Sequence, residues 1–590
     1  MARNKYNVDE TLETEFDLTH LKRSFVYIRR YKKWFFGAFF FSAVSIVLGL
    51  LMPLFTANAI DEQIPAGDVK GLVIAGCMII LIVIAQAFCN KYRSRCSAQA
   101  GQAIIRDIRR DLYVHLQELP FDYFDSRPHG KILVRVVNYV NSVSDFLTNG
   151  IVNIILQFLS LILIAVFMVI LSPKLSLVVL AGLPVFIVYI FSIKKAQRRA
   201  WQLQANKHSN FTAYLSESIN GERVTQSFAR ETVNGGINKE LARDAKKAYL
   251  KAVTINHSVW PLSMVISKAV FYAIYLVGVI YLRDSIAVGL LVAMTSYANR
   301  FWGPIQQLSN YYNQLINTIS YLERIFQLMD EPVTVTDVEG AEDLPGMEGQ
   351  VDFEHVVFEY EKDRPILKDV SFHVEAGESI ALVGPTGAGK STIINLVSRF
   401  YNLKSGQVLI DGHDISKATL RSIRSQMGIM LQDTFIFSGS IMENIRYGRL
   451  DATDEECIAA AKQVFADDFI SRMPNGYDTE INERGDMLSA GQRQLLSFAR
   501  TLLSDPKILI LDEATSSIDT NTELLVQEGI KQLLKDRTSF VVAHRLSTIK
   551  DCDRILYIND GQIVESGSHT ELMEQRGAYY ELYTSQLTND

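Results

Sequence analysis

Several features that would assign a class to this chain of 590 residues are scarce in its sequence or missing from it. The five cysteines form no C-x-x-C pair, so neither a disulfide framework nor a zinc site is supported. The formal net charge of −6 gives no reason to expect nucleic acid as a partner. The N-terminal segment has no short apolar region with a cleavage site, and it resembles neither a signal peptide nor a transit peptide.

Charge is missing from long stretches of the first half of the chain. Runs without Asp, Glu, Lys or Arg cover 34–60, 71–90, 146–173 and 175–193. Two further spans, 252–282 and the run from 285 onward, each contain a single cation. Each stretch is as long, or nearly as long, as the ~20 residues that a membrane-spanning helix needs. We therefore predict a multi-pass α-helical membrane domain with six transmembrane helices over 34–325.

The connections between these runs alternate in length and charge. The outer connections, such as 61–70, are short and poor in Lys and Arg, whereas 91–145 and 194–251 are long and rich in both. The positive-inside tendency therefore places the N-terminus, both long connections and the second half of the chain in the cytoplasm. We expect the membrane to be the cell membrane. We expect the long connections to be helical extensions of the membrane helices. Within the N-terminal segment 1–33, residues 18–33 favour an interfacial amphipathic helix.

Two cations interrupt the last two membrane runs, Lys268 and Arg300. Charged residues inside a membrane often face a cavity on a substrate path, although long cationic side chains also reach the interface by snorkelling. Both interpretations stay open for Lys268. Arg300 belongs to a polar and aromatic stretch, so cavity lining is favoured there, and a hydrated cavity explains the charge as well as an anionic or zwitterionic ligand does.

The second half changes to alternating strands and helices after a predicted linker at 326–349, which indicates an α/β domain over 350–590. Its most informative stretch combines a short apolar strand, a glycine-rich turn and the start of a helix, with the spacing of a phosphate-binding P-loop. In such a loop the backbone N–H groups bind phosphate, a Lys reaches the β- and γ-phosphates, and a Ser hydroxyl holds Mg²⁺. The candidate nucleotide-binding residues are Gly384, Pro385, Thr386, Gly387, Ala388, Gly389, Lys390, Ser391 and Thr392.

Polar side chains follow other predicted strands of this domain. Tyr360 ends one strand and could stack on an adenine ring. Gln432 follows the apolar GIML and is a candidate for binding Mg²⁺ or the attacking water. Asp512 and Glu513 follow a strand with four consecutive apolar residues, which suits Mg²⁺ binding and polarisation of water, respectively. His544 is predicted near the γ-phosphate by the same strand-then-polar pattern.

The ordered motifs GPTGAGKST, Gln432, LSAGQ, ILILDE, SSID and AHR resemble the nucleotide-binding domain of an ATP-binding cassette (ABC) transporter. With six spans ahead of one such domain, the chain resembles a half-transporter of the exporter type. The resemblance implies ATP and Mg²⁺ as cofactors, Glu513, His544 and Gln432 as catalytic residues, and Ser391, Gln432 and Asp512 at the metal. It also implies a dimer-interface loop with Asp519, and coupling helices within 119–133 and 217–231.

The resemblance further implies a dimer in which each ATP is bound by the phosphate loop of one chain and the signature motif of the other. The signature residues, which would serve the partner's ATP, are Ser489, Ala490, Gly491 and Gln492. Ala490 departs from the LSGGQ pattern while Glu513 is intact, a combination that the family shows in heterodimeric exporters. We therefore expect a non-identical second half-transporter as partner, with a homodimer as the alternative.

The resemblance implies ATP-driven export of amphipathic or drug-like small molecules by alternating access. It also implies that the protein is surrounded by membrane lipid. The alternatives are an ATP-gated channel or regulatory subunit, or an exporter of lipids or peptides.

Overall fold

The computed structural model packs as two units. One comprises Met1–Gln117 with His129–Glu331, and the other comprises Glu118–Pro128 with Pro332–Asp590. The residues described are 19–127, 129–281, 286–361, 363–430, 434–482, 485, 487–512, 520–542 and 549–587.

The first unit is helical. Its helices are α1 (Thr19–Arg30), α2 (Lys32–Asn58), α3 (Val69–Glu118), α5 (His129–Val134), α6 (Val140–Asp145), α7 (Ile151–Leu171), α8 (Pro173–Asn220), α9 (Glu222–Ser227), α10 (Glu231–His257), α11 (Val259–Tyr281) and α12 (Val288–Met329), and the short α4 (Phe121–Asp125) belongs to the second unit. Three π-helical turns, Ala59–Gln63, Arg135–Tyr139 and Phe146–Gly150, continue the neighbouring helices. The helical extensions predicted for the long connections are confirmed, because α3 and α8 run on well beyond their apolar parts.

Among the described residues, four helical stretches are long and apolar enough to cross a membrane: Lys32–Gln63, Val69–Glu118, Ile132–Leu171 and Pro173–Asn220. Met264–Ile280 within α11 is a shorter apolar helix. In α12, Arg300 lies in the first half and several Gln and Asn side chains follow it, and this helix is not among the stretches that meet the length and composition of a spanning helix. Four of the six predicted spans are thus confirmed by length and composition, and α11 and α12 stay predictions as spans.

The apolar side chains of this unit divide between a buried core and an exposed surface. The core contains Leu50 of α2, Ile164 of α7 and Phe301 of α12, each at most 2 % exposed. Many other apolar residues of the same helices are exposed, for example Ile170 and Val188. An exposed apolar surface of this extent suits contact with lipid rather than with water.

The predicted N-terminal helix is present as α1, and it is anchored on the unit itself. The guanidinium of Arg23 donates two hydrogen bonds to the carboxylate of Asp330, at 2.5 and 2.7 Å. The hydroxyl of Tyr27 donates to Asp111 in α3 at 3.0 Å. These bonds connect α1 to the end of α12 and to α3.

In the part of the second unit that the structure describes, the strands form three sheets, and helices accompany them. Its strands are β1 (Val351–Glu361), β2 (Arg364–Val374), β3 (Ser379–Val383), β4 (Ser405–Ile410), β5 (His413–Asp414), β6 (Met427–Met430), β7 (Gly439–Ser440), β8 (Glu480–Ile481), β9 (Ile508–Asp512), β10 (Thr538–Val542), β11 (Arg554–Asn559) and β12 (Gln562–Gly567). Its longer helices are α13 (Lys390–Val397), α14 (Leu420–Arg424), α15 (Ile441–Arg446), α16 (Asp454–Gln463), α17 (Asp467–Ser471), α18 (Ala490–Leu503), α19 (Thr520–Leu534), α20 (His569–Gln575) and α21 (Ala578–Leu587).

The central sheet has the strand order β12-β11-β3-β10-β9-β6, and only its β12–β11 pair is antiparallel among the described strands. Both faces are buried, since successive side chains of β9 enter opposite cores: Leu509 and Leu511 join one, Ile508 and Ile510 the other. An antiparallel sheet, β2-β1-β4-β5, shares the core that contains Ile508 and Ile510.

Candidate functional site

The predicted phosphate loop follows β3 directly and leads into α13. Three glycines of the loop, Gly384, Gly387 and Gly389, have positive φ values of 149°, 82° and 109°. Residues with a Cβ rarely adopt such values, so the glycines allow the loop to turn tightly before the helix begins. The helix N-terminus and the loop N–H groups together provide the elements of an anion site.

Gly384 also makes a close approach to another strand. A Cβ built on it would lie 2.0 Å from the carbonyl oxygen of Ile558 in β11. No side chain fits at that distance, and the neighbouring atom is backbone that cannot move aside cheaply. Packing against β11 therefore requires glycine at this position as strictly as its φ value does.

Lys390 opens α13 with its ammonium folded over the loop. Its Nζ donates to the carbonyl oxygens of Gly384 and Pro385, at 2.7 and 2.9 Å. Burial lowers the pKa of Lys390, and the carboxylate of Asp512 opposes part of that shift. The structure thus brings two predicted site residues, Lys390 and Asp512, into electrostatic interaction.

The aromatic residue predicted to contact adenine, Tyr360, lies near the same helix. Its hydroxyl is 3.3 Å from Oγ1 of Thr392 and accepts a hydrogen bond from Asn395 at 3.4 Å. Its ring makes edge contacts with Phe358 and Tyr401, and it remains 42 % exposed. A supported, partly exposed ring beside the phosphate loop is suited to stacking on a flat ligand.

The carboxyl ends of the parallel strands β3, β6, β9 and β10 meet at the edge where the phosphate loop begins. In the β-ladders, Val542 pairs with both Leu382 and Asp512, and Met430 pairs with Leu511. Ligands bind at this edge of open α/β sheets. Four predicted residues that follow these strands in the sequence lie outside the described residues: Gln432, Glu513, Asp519 and His544.

The signature motif forms the start of α18. The hydroxyl of Ser489 accepts a hydrogen bond from the N–H of Gln492 at 3.2 Å, and the N–H of Ser489 donates to Oε1 of Gln492 at 2.9 Å. This reciprocal capping box satisfies two backbone donors and fixes the start of the helix. Ser489 and Ala490 are exposed and Gly491 is buried, so the motif presents its first two residues to the surface.

A short segment from the first half of the chain, Glu118–Pro128, is part of the second unit. The hydroxyl of Tyr401 donates to Oδ2 of Asp125 at 2.7 Å, and the rings of Phe121 and Phe400 lie 4.3 Å apart. Burial and the Asp125 hydrogen bond raise the pKa of Tyr401. Sequence reasoning identified the segment through its resemblance to a coupling helix, but it missed Tyr401, which no motif marks.

The membrane unit contains a cavity of about 390 Å³ that Arg300 lines, together with Ser45, Gln86, Gln157, Ser160 and Gln307. Lys268 is not among the residues that line this cavity, and its ammonium lies 5.2 Å from the centre of the Phe271 ring. Sequence reasoning singled out Arg300 and missed Gln86 and Gln157. Their position inside uncharged runs was the available signal.

The residues at the sheet edge fit a magnesium ion. Ser391 and Asp512 offer hydroxyl and carboxylate oxygens, which are ligands that Mg²⁺ prefers, and this ion commonly takes few protein ligands besides phosphate and water. Among the described residues no group of three or more His, Cys, Asp or Glu could hold a metal alone. The donor set therefore suits an ion that accompanies a nucleotide.

Two family models match the sequence. Residues 35–305 match the ABC transporter transmembrane region, and residues 367–516 match the ABC transporter model. These ranges place one match in each half of the chain.

Several proteins are similar to this chain over nearly its full length. The chain is 40% identical over 595 residues to "Uncharacterized ABC transporter ATP-binding protein YknV" of Bacillus subtilis, covering 100% of this chain and 98% of that protein. It is 35% identical over 582 residues to "Putative multidrug export ATP-binding/permease protein YgaD" of the same organism, covering 96% and 100%. The solved structure of a bacterial Atm1-family ABC exporter with ATP bound is similar with a TM-score of 0.78 at 29% identity, covering 97% of this chain and 99% of that chain.

Proposed function

This chain belongs to the ABC transporter family, as an exporter-type half-transporter that binds and hydrolyses ATP, and we propose that it exports amphipathic or drug-like compounds across the cell membrane. The observation that carries the proposal is that a single chain contains a phosphate loop, a signature helix and a unit of membrane-length helices. A relative of similar length is named for multidrug export, which favours this substrate class.

The proposed site chemistry divides roles among the predicted nucleotide-site residues. The phosphate loop and Lys390 bind the phosphates of ATP, and Tyr360 stacks on its adenine ring. Ser391, Asp512 and Gln432 hold Mg²⁺, which neutralises charge on the phosphates when it is bound. Glu513 polarises the attacking water, and His544 contacts the γ-phosphate.

A second chain completes each ATP site in this proposal. Ser489 and Ala490 are exposed at the start of α18, where they are available to a nucleotide held by a partner. The predicted second coupling segment also exposes apolar side chains, with Val224 62 % and Phe228 73 % exposed. Apolar surface at the tip of a cytoplasmic extension suits a protein partner.

We further propose that the partner is a different half-transporter. Ala490 has a methyl group where the family has glycine. A heterodimer tolerates this change, because one of its two sites can hydrolyse ATP slowly. A homodimer is the alternative. Expression of the chain alone decides between them: stable dimers with full substrate-stimulated ATPase activity would contradict the heterodimer.

The proposal also orients the chain in the cell membrane, with the N-terminus and the nucleotide-binding unit in the cytoplasm. The Lys- and Arg-rich helical extensions of α3 and α8 support this orientation.

ATP hydrolysis by the reconstituted transporter tests the proposed roles. Glu513→Gln is expected to abolish hydrolysis while ATP binding persists, because the amide cannot polarise water as the carboxylate does. Lys390→Ala is expected to weaken ATP binding itself. Hydrolysis at the original rate in the Glu513→Gln variant would remove Glu513 from its role.

A further inference from the structure

The cavity around Arg300 lies among four helices of the membrane unit. Its walls come from α2, α3, α7 and α12, and its polar groups are Ser45, Gln86, Gln157, Ser160, Arg300 and Gln307. Among the described residues that line it, Arg300 carries the charge, and there is no carboxylate. The cavity therefore has hydroxyl, amide and guanidinium groups around one uncompensated positive charge.

A proline in α2 explains how Arg300 is held. Pro53 lies within the helix and has no N–H, so the carbonyl oxygen of Gly49 lacks its usual donor four residues later. Nη1 of Arg300 donates to that oxygen at 2.9 Å. This bond uses one of the five N–H donors of a guanidinium and fixes the position of the group in the cavity.

Gly49 and Gln86 complete the arrangement. A Cβ on Gly49 would lie 2.7 Å from Nε2 of Gln86 and 3.2 Å from Nη1 of Arg300, so glycine allows both side chains to approach α2. Nε2 of Gln86 donates to the carbonyl oxygen of Ser45 at 2.9 Å. These neighbours are neutral, and they cannot compensate a guanidinium in a medium of low dielectric constant.

We propose that this cavity binds the acidic headgroup of an amphiphile, with Arg300 as its charge partner. The inference rests on the proposed export function and names the substrate class of the membrane cavity. The planar guanidinium is suited to a carboxylate, phosphate or sulfonate group. Ile46, Leu50 and Ile164 line the same cavity and offer apolar contact to the adjoining chain of the ligand.

Three amphiphiles with the same alkyl chain test the headgroup preference: dodecanoate, dodecanol and dodecyltrimethylammonium. The full transporter, in phosphatidylcholine vesicles, is assayed for stimulation of ATP hydrolysis and, separately, for displacement of a bound fluorescent fatty acid. Dodecanoate is expected to act at a concentration about tenfold lower than dodecanol. This gap corresponds to one charged hydrogen bond, which the carboxylate of dodecanoate accepts from Arg300. The ammonium compound is expected to be the weakest.

Variants assign this preference to Arg300. Arg300→Gln is expected to remove the gap between dodecanoate and dodecanol, and Arg300→Lys is expected to retain part of it. Lys268→Gln is the matched control, because it removes another cation of the membrane unit that lies outside this cavity, and the gap is expected to persist. Gly49→Ala keeps the charge and displaces the guanidinium, so it is expected to reduce the gap even if Arg300→Gln does not fold.

A purely structural role of Arg300 gives a different result. If Arg300→Gln shifts the response to all three amphiphiles equally, or if wild-type protein binds them alike, the acidic-headgroup proposal is overturned. If wild-type protein binds dodecanoate selectively but hydrolyses no ATP, the export proposal fails and the cavity proposal stands. Vesicles containing phosphatidylglycerol distinguish the source of the headgroup: competition with dodecanoate identifies a lipid as ligand, and its absence identifies a soluble amphiphile.

Discussion

Tyr401 provides a direct test of the coupling role predicted for the segment within 119–133. Its ring lies edge-on against Tyr360 at 5.0 Å between centroids, and its hydroxyl donates to Asp125 at 2.7 Å. Asp125 belongs to α4, which follows the long helix α3 in the chain. One side chain therefore touches both the proposed adenine-stacking residue and the proposed coupling segment.

Tyr401→Phe removes the hydroxyl and keeps the ring. A typical hydrogen bond contributes about 0.5–1.5 kcal/mol net, and a hydrogen bond to a charged group contributes about 1.5–3 kcal/mol. Asp125 is exposed, so water replaces part of the lost bond, and we expect about 1 kcal/mol, or roughly fivefold in an equilibrium. The ring contact between Phe121 and Phe400 is expected to stay in place.

The assay is the ratio of substrate transported to ATP hydrolysed by the reconstituted transporter. Tyr401→Phe is expected to lower this ratio about fivefold with an unchanged KM for ATP. Tyr401→Ala also removes support from Tyr360 and is expected to raise the KM. A double-mutant cycle with Asp125→Ala isolates the bond. Strictly additive effects of the two substitutions, or an unaltered ratio in Tyr401→Phe, would refute this role of the Tyr401–Asp125 hydrogen bond.

Three further predictions concern the second unit. Gly384→Ala is expected to abolish ATP binding, because its Cβ would lie 2.0 Å from the Ile558 carbonyl oxygen; measurable nucleotide binding at wild-type affinity would contradict this packing. Ala490→Gly is expected to raise ATP hydrolysis several-fold if the methyl group impairs the composite site, and an unchanged rate would make Ala490 harmless. Hydrogen bonds to Asp352 and Glu375 raise the pKa of His373 above 6.5, so its stabilisation is complete below pH 6.5 and is lost as pH rises through the raised value. The melting temperature of His373→Gln is therefore expected to differ from wild type most below pH 6.5, and a gap that widens with rising pH would contradict the assignment.

Periodic patterns allowed much of the fold to be predicted. Charge-free runs located α2, α3, α7 and α8, because a membrane-length helix excludes charge over about 20 residues. The fully apolar ILIL located β9, since a strand buried on both faces needs no polar side chain. The phosphate loop was recognisable for a similar reason: its glycine positions are dictated by backbone conformation.

Contacts between distant residues could not be predicted from patterns. The bond of Arg300 to Gly49 depends on Pro53 in another helix, and neither residue's neighbourhood in the sequence indicates the other. Tyr401 and Asp125 are 276 residues apart, and no sequence motif connects them. The close approach of Gly384 to Ile558 likewise arises only when β3 and β11 pair.

ATP-dependent transport into inside-out vesicles tests the central claim most directly. Labelled amphipathic compounds, ATP and Mg²⁺ are added to the solution outside vesicles that contain the chain with its partner. The account predicts accumulation inside the vesicles that requires hydrolysable ATP and is absent in the Glu513→Gln variant. Accumulation that proceeds equally without ATP, or hydrolysis with no movement of any drug-like, lipid or peptide compound, would contradict it.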